Sequence, residues 1–138
     1  MSRFVLAALA VSLALGGCDW FTSNNYRDRL SIVTSVAAPD TVSIGSSFSV
    51  VIETQGPDGC WRKGHDLVFP SPLLVQIRAV DQEYVGAGAC ASVILDFTHQ
   101  VVVRAPSRGT MKVEVLHRLT AVSGEDSVGV IERLVVVR

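Results

Sequence analysis

The sequence predicts an all-β domain, a sandwich or barrel of about seven or eight antiparallel strands, behind a cleaved helical leader. Three observations predict it. From Leu30 onward, apolar and polar residues alternate as they do along half-buried strands. Clusters of Pro, Gly, Asp and Ser interrupt this alternation at regular intervals. Valine, a strand-preferring residue, dominates the apolar positions, and no segment past the leader has the spacing of an amphipathic helix.

The leader is residues 1–17. Arg3 gives a basic start, Phe4 to Leu15 is apolar except for Ser12, and Gly16 and Gly17 are small. The apolar run is too short for the ~20 residues that a spanning helix needs, which disfavours a retained transmembrane segment. The run ends in Leu15-Gly16-Gly17-Cys18.

That tetrapeptide resembles the lipobox of bacterial lipoproteins: an aliphatic residue, two small residues and a cysteine. The resemblance covers the first eighteen residues. It implies lipid addition to the Cys18 sulfur, cleavage before Cys18, and acylation of the new amino terminus. Each buried methylene contributes about 0.8 kcal/mol, so two or more chains anchor stably where one is marginal. The competing reading is an ordinary secretory signal that happens to end at a cysteine. Asp19 follows Cys18 directly, and in enteric bacteria lipoproteins with Asp there resemble those kept at the inner membrane. The expected location is the bacterial cell envelope, facing the periplasm.

The 138 residues less the 17 of the leader leave 121, enough for one domain with a real core. With Arg3 gone, 11 basic and 13 acidic residues remain, and no basic patch stands out. That argues against a nucleic-acid partner. Three cysteines are present: Cys18, Cys60 and Cys90. If Cys18 carries lipid, an exported chain is expected to join Cys60 to Cys90. Two unpaired thiols are the alternative.

Residues 18–29 read as the lipidated cysteine and a polar tether, in which Trp20, Phe21 and Tyr26 rest either at a membrane interface or on the domain. Residues 30–138 read as the β domain. Pro39-Asp40 breaks the first strand, and Thr41 to Ile44 restarts it. Phe48, Val50 and Ile52 share one face of the next strand, which Gln55-Gly56-Pro57-Asp58-Gly59 ends. Cys60 to Phe69 reads as a short irregular strand, closed by Pro70-Ser71-Pro72. Leu73, Val75 and Ile77 follow on one face; Asp81 to Ala89 reads as a glycine-rich loop. Ala91 to Leu95 reads as a short strand, set off by a bulge or turn at Asp96 from a second strand to Ala105. Pro106 to Gly109 turns the chain into an alternating strand with Met111, Val113 and Val115 on one side. A polar loop, Ala121 to Asp126, precedes the valine-rich strand Val128 to Val137.

The segment Val36 to Val50, with a proline splitting an edge strand and a glycine turn leading into an alternating one, resembles the opening of bacterial immunoglobulin-like domains. Gly109 to Val115 with Val128 to Val137 resembles their last hairpin. The resemblance implies an immunoglobulin-like β-sandwich. Trp61 departs from the antibody pattern. It adjoins Cys60, so within a strand the two point to opposite faces, and a tryptophan packed on the disulfide is not implied.

No catalytic set stands out. His65-Asp66 is the nearest to a catalytic pair, but sequence neighbours on a strand face apart, and a loop ion pair is the simpler reading. His65, His99 and His117 lack the close spacings of zinc sites. His99 shares parity with Phe97, Val101 and Val103, which points to a hydrogen-bonded histidine near the core; His117 is expected to be exposed. Gly-x-Ser-x-Gly is missing, and Gly86-Ala87-Gly88 is not followed by a helix as a phosphate cradle would be. The sequence thus points to no enzyme, metal or cofactor. The irregular stretch from Gly59 to Cys90 is the candidate binding region, with Trp61, Arg62, His65 and Tyr84 as candidates, since aromatic and arginine side chains are common in binding hot spots. Trp61 and Phe69 have a competing reading as core filling. The expected role is a non-catalytic interaction or structural module with a protein or envelope partner. The alternative is a small inhibitor or ligand-binding lipoprotein.

Overall fold

A computed structural model describes residues 25–119 and 127–138. The leader, Leu15 to Cys18, the tether up to residue 24 and the loop around Gly124 lie outside the described residues. Nine strands follow in order: β1 (Tyr26–Leu30), β2 (Ile32–Ala37), β3 (Thr41–Val42), β4 (Ser47–Gly56), β5 (Trp61–Ser71), β6 (Leu74–Tyr84), β7 (Leu95–Arg104), β8 (Gly109–Leu119) and β9 (Ser127–Val137). No helix occurs among the described residues.

The strands form two sheets. The smaller one runs β2-β4-β7, antiparallel throughout. In the larger one, β6 is central. Its one side pairs with β5 from Leu74 to Glu83. Its other side is shared: β1 pairs with residues 80–84 and β8 with residues 74–78. The sheet continues from β8 to β9 and then β3.

The expected seven or eight antiparallel strands thus become nine, with two parallel pairs, β6 with β8 and β3 with β9. The higher count arises because the first edge segment is cut twice to change sheets. At Ser31 the chain leaves β1 for β2; there its N–H donates to the Ala79 carbonyl and its carbonyl accepts from the Arg118 N–H, both at 2.9 Å. At Pro39-Asp40 it crosses back, and β3 joins β9. The parallel pair follows from which arm of the β5–β6 hairpin suits the sheet interior. β5 carries Pro70 and a register shift, both tolerated at an edge. β6 has neither and buries Val75, Ile77 and Ala79.

The period-two alternation sets the core. Phe48, Val50 and Ile52 of β4 face Val75 and Ile77 of β6 and Met111, Val113 and Val115 of β8, with Val101 and Val103 of β7 and Val135 and Val137 of β9 completing one cluster. Other local expectations need correcting. β structure begins at Tyr26, inside the expected tether. In the stretch from Cys60 to Phe69, all but Cys60 belong to an eleven-residue strand with one bulge. β6 runs to Tyr84, so Asp81 lies in a strand and not in a loop. Residues 91–94 are loop, and Asp96 pairs with Gln55 inside β7.

Candidate functional site

At one level of the sandwich the inward faces turn polar. His99 continues the inward row of Val101 and Val103 on β7. Asp81 continues that of Ile77 and Ala79 on β6, and Thr54 that of Val50 and Ile52 on β4. Parity alone therefore sends three polar side chains into the interior. The fourth, Asp66, arrives through a fault in β5. Before the bulge Trp61 faces inward; the register shifts between Lys63 and His65, after which Asp66 opposes Ala79 and Val68 opposes Ile77. The extra residue is Gly64. A Cβ there would lie 2.3 Å from the Val80 carbonyl oxygen, so only glycine allows this approach. Without the bulge, His65 would point inward and Asp66 outward.

The four groups form a network. His99 Nδ1 lies 2.7 Å from Asp66 Oδ1, and Nε2 lies 3.0 Å from Asp81 Oδ1. The Thr54 hydroxyl donates to Asp81 Oδ2 at 2.8 Å. Thr54 and His99 belong to the small sheet, Asp66 and Asp81 to the large one, so the network bridges the two. His99 and Asp81 are buried, and Asp66 is partly open to solvent. A neutral imidazole has one N–H, yet both ring nitrogens here meet carboxylate oxygens; the arrangement calls for imidazolium. The pKa directions agree. Burial, the largest influence on His99, disfavours its charge, but the Asp81 hydrogen bond and the charges of Asp66 and Asp81 outweigh it and raise the pKa. For Asp81, burial pulls upward most strongly, and the hydrogen bonds from His99 and Thr54, with the nearby Ser31 hydroxyl, together pull the pKa below its ordinary value. The Ser31 hydroxyl is buried and makes no hydrogen bond of full geometry, so it acts here as a nearby dipole.

Chemically this is a charged brace. A general base needs a free nitrogen facing substrate, and both nitrogens of His99 are occupied inside the core. The parity of His99 was legible in the sequence; Asp81 and Thr54 were missed, although Asp81 shares the parity of Val75, Ile77 and Ala79.

Of the four sequence candidates, Arg62, His65 and Tyr84 lie together on the outer face of the large sheet, linked through Gln82, Asp28 and Tyr26, while Trp61 points inward. Trp61 is 6% exposed, packed below the Arg118 guanidinium at 4.8 Å. Arg62 stacks on Tyr26 at 3.5 Å, and Tyr26 meets Tyr84 edge-on at 5.4 Å. His65 is exposed, 3.9 Å from Asp28, and His117 is half-buried on β8. Cys60 and Cys90 are joined, with Cα atoms 5.2 Å apart. With Asp58 they bring three ligand-type atoms within 4.8 Å, but both sulfurs are spent in the bond and Asp58 accepts the Cys60 N–H at 2.8 Å.

The described residues form two open concavities of note. A groove of about 470 Å³ runs between the free edges of β5 and β7, lined by Val68, Pro70, Pro72, Val102, Arg104 and Pro106. It lies toward the end of the sandwich opposite the disulfide. A smaller depression of about 370 Å³ on the outer face of the large sheet holds Leu67, Arg78, Leu116 and Val128. Comparison with known proteins finds no matching family model, no similar curated protein and no similar solved structure.

Proposed function

We propose that the chain is a bacterial envelope lipoprotein, anchored by lipid on Cys18, whose β domain is a non-catalytic interaction module. The observation that carries this reading is the Leu15-Gly16-Gly17-Cys18 motif ending an apolar leader. The closed His99 network supports it, since the most acid–base-capable cluster among the described residues offers no nitrogen to a substrate. The domain is read as a variant of the immunoglobulin-like sandwich. The early edge segment divided between sheets and the final β8–β9 hairpin fit that class, while β6 standing between β5 and β8 is a departure.

The partner surface is the groove between β5 and β7. It is apolar, contains exposed Val102, and has a guanidinium, Arg104, on its rim, a combination that suits a peptide segment carrying an acidic residue. A photoreactive residue at position 102 in the membrane-bound protein is expected to give one discrete protein adduct in envelope preparations, with none from position 117. Absence of any adduct from position 102, with the protein folded and membrane-bound, contradicts the reading. The second reading, a ligand-binding lipoprotein, is favoured by the size of the same groove, which falls in the range of small-molecule sites. It predicts a copurifying apolar molecule released on denaturation.

A further inference from the structure

The loop from Val85 to Ile94, between β6 and β7, reads Val-Gly-Ala-Gly-Ala-Cys-Ala-Ser-Val-Ile. It contains no charged residue, and its large side chains face solvent: Val85 is 53%, Val93 46% and Ile94 61% exposed. The Cys60–Cys90 bond and a Gly59 N–H to Ala91 carbonyl hydrogen bond of 2.8 Å fix it to the turn that follows β4. Exposed valine and isoleucine are not rare singly, but here three fall within one stapled, uncharged loop.

The position of this tip is the second observation. The chain comes into β1 at Asn25, whose carbonyl accepts the Val85 N–H. The loop therefore begins beside the point where the chain leads back to Cys18. The seven residues from Cys18 to Asn24 span at most ~25 Å when fully extended. The opposite end of the eleven-residue β6 lies ~33 Å farther off. An anchor at Cys18 thus reaches the disulfide end and not the end bearing Pro72 and Pro106. Behind the loop stand Tyr26 and Tyr84, with Arg62 stacked on Tyr26. Tyrosine rings backed by a guanidinium suit the headgroup layer, and small apolar residues suit the layer beneath.

We propose that loop 85–94 is a membrane-contacting tip that dips into the outer part of the lipid bilayer beside the acyl anchor, holding the domain upright with the β5–β7 groove turned away from the lipid. The orientation rests on the reading of Cys18 as the anchor; the apolar loop stands on its own. The disulfide keeps the tip compact, and the loop's own unpaired backbone groups confine it to the hydrated interfacial layer rather than the hydrocarbon core.

The test supplies the anchor artificially. Protein beginning at residue 19, with a histidine tag in place of Cys18, is held on nickel-chelating vesicles of phosphatidylethanolamine and phosphatidylglycerol containing acyl-brominated lipid. Trp20→Phe removes the tether indole. Val93→Trp reports on the loop and Arg108→Trp on the opposite end, with buried Trp61 as a common background. Emission from the tryptophan introduced at position 93 is expected to fall by about half, as for an indole at the lipid interface, and that at position 108 to stay unchanged. Equal, negligible quenching at both positions with complete vesicle capture overturns the proposal and assigns the loop to a protein partner. The mass of the native amino-terminal peptide separately decides whether Cys18 is acylated, so the two readings fail independently. Circular dichroism of each variant, matching that of the parent, verifies that the fold is retained.

Discussion

Asp66 and His99 meet across the gap between the two sheets, 2.7 Å apart, although they lie on strands that share no backbone hydrogen bond. The contact exists because of a single inserted residue in β5. It ties the edge of the large sheet to the edge of the small one, beside the groove proposed for binding. Breaking one member leaves the others charged in a poorly solvated place. His99→Leu is expected to destabilise the domain by about 3–5 kcal/mol, since Asp81 then loses its main cation. Asp66→Asn is expected to cost less, because Asp66 is partly solvated. Urea unfolding of His99→Leu, Asp66→Asn, Asp81→Asn and the double variant His99→Leu/Asp81→Asn checks this. The double variant is expected to lose less than the sum of the singles, with a coupling of about 1–3 kcal/mol.

The same network gives a pH profile. His99 has a raised pKa in the fold, so its contribution is fully present below the unfolded value of 6.5 and is lost as pH rises through the folded value. Asp81 has a lowered pKa, so its contribution is present above the unfolded value of 3.8 and is lost as pH falls through the folded value. Stability from the network is therefore greatest between those two unfolded values and declines on both sides. Melting temperature measured across pH is expected to show a maximum in mildly acidic solution, and His99→Leu is expected to flatten the alkaline limb.

Gly64→Ala tests the bulge itself. The added Cβ would meet the Val80 carbonyl at 2.3 Å, with backbone on both sides unable to yield cheaply. The expected result is a loss of at least ~2 kcal/mol in urea unfolding, comparable to removing a core contact. The shared origin of the losses predicts a second sign: the alkaline limb of the pH profile flattens as it does for His99→Leu, because Asp66 no longer reaches the imidazole.

Reduction tests the staple. The bridge joins residues 30 apart in sequence, and on the chain-entropy estimate its loss costs about 3–4 kcal/mol. Reduced, alkylated protein is expected to unfold at lower urea and to be cut by protease within residues 85–94, while the β8–β9 hairpin remains the most protected part.

What the sequence disclosed and what it hid follow from one cause. Alternation along β4 and through Val115 of β8 is clean, and those inward faces could be read directly, while β9 was legible only as a valine-rich strand. The parity of His99 and the pairing of Cys60 with Cys90 were legible for the same reason: each depends on local pattern or on a count. Asp66 was hidden because a bulge inverts parity, and its only mark, Gly64, reads equally as a loop glycine. Asp81 was hidden because the glycines after Tyr84 made the end of β6 look like the start of a loop. The parallel β6–β8 pairing depends on which hairpin arm is fit for an edge, a comparison between strands that alternation within each does not reveal.

The most direct test of the account is the mass of the amino-terminal peptide of the mature protein taken from membranes. The account predicts a peptide that begins at Cys18 and carries a diacylglyceryl group on sulfur with a fatty acyl group on the amino terminus. A mature chain that starts elsewhere, or that starts at Cys18 with a free thiol, contradicts it.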